Sequence, residues 1–413
     1  VISKVTPVKK VCILTDHHIS INPRVWKEAF YFESRGWTVV ILCKWQSAEM
    51  LKKDRQILEG HNISYRAYLD MIPRIARPSK RMYLRVRRRI AGEFQRMFGT
   101  GGGWSISHAP GFMYRSAIEE NADLYRAHLE CAFFVGRDLV QAGKKVSFDF
   151  EDWYSHDYLV PERPVKLLET LEKFALANGS FCTAASQSMA IALQQHFREA
   201  APEVIYNGFP EQSADFFEPS KLNNSGSPLR ILWFSRTVAQ DRGLEYFLEA
   251  LKSYDHPVEL NLLGNIGHGY DKYLEKEFPF SRHALRLHAF ISHDQLHTFI
   301  SQFNAGLSIE EHVNENRYVT VTNKILQYLQ AGIPVLASDT MGNREVAALF
   351  PSVVIANIYE PAEIINALET LRHFSVDRDA QQKQFEATFS WEAQEKKLDH
   401  LMAGLGYGRA VTA

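Results

Sequence analysis

Short, uninterrupted apolar runs recur along the chain, each followed by a longer stretch with helical spacing. The first run is VCILTD (11–16), followed by the polar loop HHISI and then NPRVWKEAFYFESRG (22–36). In that segment Asn22 is a good N-cap and Pro23 a good first helical residue. Val25, Ala29 and Phe32 mark one helical face, and Gly36 supplies a left-handed stop. A second apolar run, TVVILC (38–43), follows. Strands that are apolar throughout and alternate with helices predict a parallel sheet covered on both faces. The rhythm resumes at ADLYRAHLECAFFVGRDLVQAG (122–143) and KVSFDFED (145–152). It continues through a helix near 163–178, SFCTAA (180–185), a helix near 186–199 and EVIYNG (203–208).

The texture then changes. PEQSADFFEPSKLNNSGSP (210–228) is polar and rich in Pro, Ser, Gly and Asn, as interdomain linkers are. A second α/β alternation starts at LRILWFS (229–235) and runs through GLEYFLEALKSY, VELNLLG, ALRLHAF, AGLSIE, NKILQYLQAG and IPVLAS. The expected organisation is a first α/β domain over 1–208, a linker over 209–228, a second α/β domain over 229–388, and an amphipathic helix with a tail over 389–413.

Composition narrows the class. The chain has 413 residues, 46% hydrophobic and 23% charged, with a net charge of −1, which predicts an ordinary globular protein with no overall bias toward nucleic acid. Cys12, Cys43, Cys131 and Cys182 are far apart in apolar runs and read as buried free thiols of a reducing compartment. No signal peptide and no apolar run of about 18 residues is evident, so a cytoplasmic location is expected. One segment departs from the average: RIARPSKRMYLRVRRRIAGEFQRMF (74–98) carries nine Lys/Arg against the single acid Glu93. Val86, Ile90, Phe94 and Met97 follow helical spacing there, with Arg85, Arg88, Arg89 and Arg96 elsewhere around the helix. This basic insertion extends to Trp104 through the glycine-rich GTGGGW.

Ligands of open parallel sheets sit where strand ends meet helix N-termini. In the second domain the first strand is expected to end at Ser235, with Arg236 and Arg242 bracketing the loop before Gly243. Two guanidiniums there suit a diphosphate. The loop after AGLSI carries Glu310, Glu311, Asn314, Asn316 and Thr320. Thr322 or Asn323 caps the next helix, and Lys324 lies in its first turn. Free N–H groups and the helix dipole there favour an anion. His293 and His297 stand four apart, but no third ligand accompanies them, and a surface helix is the preferred reading.

The stretches SRTVAQDRGLEYFLEAL, ELNLLGN, NKILQYLQAGIPVLASD, GNREV and FSWEAQEKKL resemble the donor-binding half of the GT-B glycosyltransferases, nearest the retaining family 4. NPRVWKEA, ADLYRAH, FDFEDWYSHD and VIYNGFP match the first half; residues 50–120 do not. The resemblance implies two Rossmann-like domains facing across a cleft, with the last helix crossing back to the first. It implies a nucleotide-diphosphate sugar (UDP-, GDP- or dTDP-linked) as donor, no cofactor and no metal. Arg236 and Arg242 would hold the diphosphate. Thr320, Thr322, Asn323 and Lys324 would face phosphate or sugar. Glu345 lies in the G-x-x-E after the donor strand; otherwise it is a first-turn carboxylate on a helix capped by Asn343. His128 would face the transferred sugar, or else be a core histidine satisfied by a backbone group.

Two positions depart from the family pattern of paired glutamates: Val319 and Gln327. The second glutamate binds two ribose hydroxyls in the family; an amide replaces a charge-assisted bond by a neutral one, on the order of 1 kcal/mol. Either the donor is a deoxynucleotide sugar, or ribose is held elsewhere, by Glu310, Glu311 or Asn316.

The resemblance implies retention, with the leaving phosphate taking the acceptor proton. An inverting reaction would need a base in the first domain; Asp16, His17, His18, Asp149, Glu151, Asp152 and His156 are available, and Arg24 lies beside them. The resemblance implies a glycan or lipid-linked acceptor. The basic segment suits an anionic membrane surface through Arg85, Arg88, Arg89 and Arg96, or else is a solvated loop. The expected function is transfer of a sugar at the cytoplasmic membrane face in cell-surface glycoconjugate synthesis. The alternatives are a sugar-nucleotide epimerase of the same fold and a non-catalytic subunit that recruits a partner enzyme.

Overall fold

The computed structural model describes residues 8–73, 78–100, 102–157, 163–211, 227–289, 291 and 293–407. Most of the expected linker (212–226), the start of the basic insertion (74–77), Gly101 and the tail beyond 407 lie outside the described residues. The chain forms two compact units: 1–185 with 189–204 and 400–413, and 186–188 with 205–399.

The first unit holds a seven-stranded sheet in the order β3-β2-β1-β4-β5-β6-β7. Its strands are β1 (Lys10–Leu14), β2 (Thr38–Trp45), β3 (Ile63–Asp70), β4 (Leu124–His128), β5 (Val146–Phe150), β6 (Cys182–Ala184) and β7 (Glu203–Val204). The second unit holds six strands in the order β10-β9-β8-β11-β12-β13. These are β8 (Leu229–Val238), β9 (Val258–Ile266), β10 (Ala284–His288), β11 (Ala305–Ser308), β12 (Val335–Ser338) and β13 (Val353–Ala356). Every described pairing is parallel.

Parallel neighbours require crossovers, and the crossover helices cover both faces. That is why central strands read as continuous apolar runs: Val11, Cys12, Ile13 and Leu14 of β1 are all fully buried. In the second unit Ile231 and Trp233 of β8, Leu260 and Leu262 of β9 and Leu307 of β11 share one core with Phe247, Leu251 and Leu368 from flanking helices. Each such side chain contributes about 1.5–3 kcal/mol on full burial.

In each sheet the chain reverses direction of progress once, between β1 and β4 and between β8 and β11. The carboxyl ends of those strand pairs form the crevices where this class of sheet binds ligands. A close approach fixes the second crevice. A Cβ on Gly306 of β11 would lie 2.2 Å from the Tyr328 ring, so only glycine lets that ring settle on the strand. The Tyr328 hydroxyl then donates to the Leu232 carbonyl at 2.9 Å, pinning the helix Asn323–Gln330 over β8 and β11.

Candidate functional site

The residues expected to grip a diphosphate lie on the segments that end or follow β8 and β11, the two strands at the switch point of the second sheet. β8 does not end at Ser235 but runs to Val238, with a register break against β9 between Phe234 and Thr237. Arg236 therefore sits in a bulge rather than a loop, and its side chain is exposed. Bulges re-aim side chains. This one is held by Gly264, whose φ is +143° and where a Cβ would lie 1.9 Å from the Ser235 carbonyl oxygen. Arg242 is half-buried beside Gly243, which adopts the left-handed conformation before the helix Leu244–Lys252.

After β11, Thr322 rather than Asn323 caps the helix Asn323–Gln330, its hydroxyl accepting from the Ile325 N–H. The Ser308 and Thr322 hydroxyls lie 3.1 Å apart, tying the cap to the end of β11. Asn323 accepts a hydrogen bond from Asn207 at 3.0 Å. Lys324 reaches Glu310 at 2.5 Å, both largely buried, with its ammonium 5.5 Å from the Trp233 ring centre. The lysine charge is thus offset from within, a pairing across 14 residues that local sequence does not reveal. Glu311 is also engaged, accepting the Gly243 N–H at 3.0 Å in front of the helix that follows Arg242. The Gln327 side chain is 9% exposed and makes no hydrogen bond among the described residues.

The remaining donor-side residues have structural duties. Asn316 is buried and its carbonyl accepts from the Thr320 hydroxyl at 2.7 Å. Glu345 is not in a first turn capped by Asn343. Its helix, Met341–Ala347, is capped by Thr340, whose hydroxyl accepts from the Asn343 N–H at 3.2 Å. The Glu345 carboxylate accepts from the N–H groups of Gln187 (3.0 Å) and Ser188 (2.6 Å), residues that pack with this unit, and from the Ser188 hydroxyl at 2.5 Å. His297 is buried and 3.2 Å from the Gln330 carbonyl through Nε2, which corrects the surface-helix reading for that residue.

In the first unit, burial overturns several expectations. His128 is fully buried and has neither ring nitrogen to offer: Nε2 lies 3.0 Å from Glu28, and Nδ1 lies 2.9 Å from Glu151 and 3.2 Å from Asp149. It is satisfied by carboxylates, not by a backbone group and not by solvent. Arg24 is buried in a bidentate pair with Asp149 (2.5 and 2.7 Å), and Arg126 holds Glu28 with two bonds of 2.8 Å. The result is three cations (Arg24, Arg126, His128) against three carboxylates (Glu28, Asp149, Glu151). Burial alone would lower the His128 pKa, but Glu28, then Asp149 and Glu151, hold it well above the ordinary value of 6.5. The same cationic neighbours, Arg24 first and then Arg126 and His128, hold the Asp149 carboxyl well below its usual range against the effect of burial.

His18 is likewise structural. Its Nε2 accepts from the N–H groups of Gln46 (2.9 Å) and Ser47 (3.2 Å), so Nδ1 carries the proton toward Asp54 at 2.5 Å. Asp16 is buried against Lys44 at 2.7 Å. His17 is exposed, and Glu151, Asp152 and His156 are half-buried. His156 stacks on Trp153 at 3.7 Å, and burial, with His196 nearby, pulls its pKa down to about 4. Among the described residues two trios bring metal-ligating atoms within 4.8 Å of one another: Glu28–His128–Asp149, whose carboxylates the arginines already occupy, and His156–Glu169–His196.

The basic segment forms one helix, Pro78–Phe98. It exposes a set of apolar residues beside exposed arginines: Met82, Val86, Ile90, Phe94 and Met97 are each 47–63% exposed, and Arg85, Arg89 and Arg96 are exposed as well. Successive spacings of three or four residues place them in one stripe. The arginines expected to meet a membrane have other surroundings. Arg85, Arg88 and Arg89 line a cavity of about 500 Å³, and Arg96 is paired with Glu93 at 2.7 Å. The cavity's other walls, from Ser105, His108, Glu130 and Arg163, come from distant segments that sequence alone does not connect. No described helix is long and apolar enough to cross a membrane.

Two parallel Rossmann-like α/β units in tandem, each with one switch point, define the GT-B fold. Comparison with solved structures agrees. Sucrose-phosphate synthase from Thermosynechococcus elongatus superposes with a TM-score of 0.66 at 13% identity, over 96% of this chain and 99% of that one. Anabaena HepE, solved with UDP and glucose, gives 0.65 at 15% identity over 96% and 100%. UDP-GlcNAc 2-epimerase from Neisseria meningitidis, bound to UDP-GlcNAc, gives 0.55 at 14% identity over 96% and 100%. Identities this low make the likeness one of fold. No protein-family model and no curated protein sequence matches the chain.

Proposed function

We propose that the chain is a glycosyltransferase that binds a nucleotide-diphosphate sugar in the β8/β11 crevice and passes the sugar to a glycan or lipid-linked acceptor. One observation supports the reading: β8, with Arg236 in its bulge and Arg242 just beyond its end, neighbours β11, which precedes the capped helix Asn323–Gln330, at the switch point of the second sheet. Guanidiniums and helix N–H groups stabilise a departing diphosphate, which is where charge develops in the transition state. Lys324 joins them when an incoming phosphate competes with Glu310. HepE, solved with UDP and glucose, supports a nucleotide-sugar donor of this kind. Retention follows from the family resemblance, with the donor phosphate receiving the acceptor proton.

The helix Pro78–Phe98 supports work at the cytoplasmic face of an anionic membrane. Its apolar stripe suits the acyl boundary and its flanking arginines the headgroups, at roughly 1 kcal/mol per basic residue near the lipid.

The test is calorimetric titration of the whole chain with UDP, GDP and dTDP, then a panel of nucleotide sugars screened for slow donor hydrolysis. Binding of at least one nucleotide, lost in Arg242→Ala, is expected. Absence of nucleotide binding would sink the reading and favour a non-catalytic subunit, for which Val319 and Gln327 are the motivating residues. The likeness to an epimerase bound to UDP-GlcNAc supports a second reading, conversion of the nucleotide sugar with no acceptor present. The same panel separates the two, since an epimerase returns an isomeric nucleotide sugar and a transferase returns free nucleotide.

A further inference from the structure

The arginine-lined cavity belongs to the first unit and contains none of the residues assigned to the donor. Its volume of about 500 Å³ falls within the ordinary range for small-molecule sites. Its position is that of a ligand site: Glu130 stands two residues beyond the end of β4, and Arg163 just precedes the helix Val165–Asn178 that follows β5. It therefore opens at the carboxyl ends of the first sheet's strands, beside that sheet's switch point.

The charge balance is one-sided. Four guanidiniums (Arg85, Arg88, Arg89, Arg163) line it against the carboxylates Glu93 and Glu130. Both carboxylates are taken: Glu130 by Arg163, and Glu93 by Arg96, which is not part of the lining. Among the described residues, Arg85, Arg88 and Arg89 have no acidic partner. Arg88 lies 3.4 Å from Nδ1 of His108, and burial, with Lys44 and Arg88, holds His108 down at about 4, so this neighbour adds no charge near neutrality. Three guanidiniums with no acidic partner among the described residues line one open pocket, Arg85 and Arg89 at exposed positions, and a multivalent anion of phosphate type would satisfy them with bidentate bonds. Arg85 and Arg89 are on the same helix as the exposed apolar stripe, three residues from Met82 and one from Ile90.

We propose that this cavity receives the diphosphate group of a lipid-diphosphate acceptor, whose hydrocarbon chain lies along the Met82–Val86–Ile90–Phe94 stripe. The proposal rests on the glycosyltransferase reading and names its acceptor class. Phosphate in the cavity could come from such an acceptor or from a bilayer phospholipid, and the arms of the experiment distinguish them.

The whole chain is titrated with farnesyl diphosphate, farnesol, inorganic pyrophosphate and UDP, and sedimented with phosphatidylglycerol vesicles. Farnesyl diphosphate is expected to bind at least about tenfold more tightly than farnesol, and inorganic pyrophosphate to compete with it. Arg88→Gln should weaken farnesyl diphosphate about tenfold and leave UDP unchanged. Arg89→Gln, at an exposed position, repeats the test without disturbing packing. Equal binding of farnesol and farnesyl diphosphate would overturn the proposal, as would variants that bind farnesyl diphosphate like the parent. Arginine-dependent binding of phosphatidylglycerol vesicles with no farnesyl diphosphate binding would overturn it in favour of a phospholipid headgroup. If farnesyl diphosphate binds as expected while UDP does not, the donor reading fails and the cavity assignment stands.

Discussion

Replacing His128 with alanine should destabilise the first unit rather than simply remove a catalytic group. In the parent, three buried cations meet three carboxylates. The substitution removes one positive charge from this cluster, leaving Arg24 and Arg126, with buried Lys27 nearby, facing Glu28, Asp149 and Glu151. Removing one partner of a buried ionic cluster costs about 3–5 kcal/mol. For a unit of this size each kcal/mol lowers the Tm by about 2–4 °C, so a fall of roughly 6–20 °C is expected in thermal unfolding followed by circular dichroism. The pH dependence has a definite sign. The folded-state pKa of His128 is raised above 6.5, so its contribution is complete below 6.5 and is lost as pH rises through the folded value. The parent should lose stability toward alkaline pH more steeply than His128→Gln, which carries no titrating group there. A Tm within about 2 °C of the parent, together with abolished sugar transfer, would refute the reasoning and return His128 to the substrate.

Three further outcomes are expected. Gln327→Glu should tighten UDP several-fold to about tenfold in calorimetry, with a smaller gain for dTDP; weaker UDP binding would mean the amide makes a contact a carboxylate cannot. Glu172 is buried, its Oε2 has no hydrogen-bond partner among the described residues, and burial raises its pKa from 4.5 to about 8. Its drag on stability is absent below 4.5 and grows to full size by about 8, so Glu172→Gln should raise the Tm increasingly across that window and leave it unchanged near pH 4.5. Ile90→Glu, in the middle of the exposed stripe, should abolish sedimentation with anionic vesicles while leaving the Tm unaltered; unchanged sedimentation would remove the helix from the membrane reading.

The sequence made the two parallel sheets legible because their central strands are apolar on both faces. β3 and the helix Ala48–Ile57 were not legible for the opposite reason. β3 is an edge strand whose first five residues are at most half-buried, and the helix buries only Leu51 and Asp54, so neither leaves a periodic apolar signal. In the candidate site the Thr322 cap was legible because it is local, whereas the bulge that carries Arg236 was not. What failed were roles set by partners far along the chain. Lys324 reads as a spare cation until Glu310 is placed beside it, and Glu345 reads as a ligand contact until Ser188 arrives from 157 residues away. For His128 the sequence left a sugar-facing group or a core histidine bonded to backbone, because a strand-end position says nothing about Glu28, 100 residues earlier. The cavity was half-visible: its arginines were conspicuous, but the distant walls that enclose them were not.

The composition of the first unit also sets an order in time. It includes residues 400–413, and Tyr407 packs edge-on against Trp37 at 5.1 Å while its hydroxyl donates to the Asp123 carbonyl at 3.1 Å. On a ribosome adding about 5–20 residues per second, the piece that covers Trp37 emerges roughly 10–40 seconds after the rest of that unit. The unit begun first is therefore the unit finished last. During that interval an aromatic surface stands open to chaperones, and an interruption in translation beyond residue 399 would release a chain with one complete unit and one unsealed one.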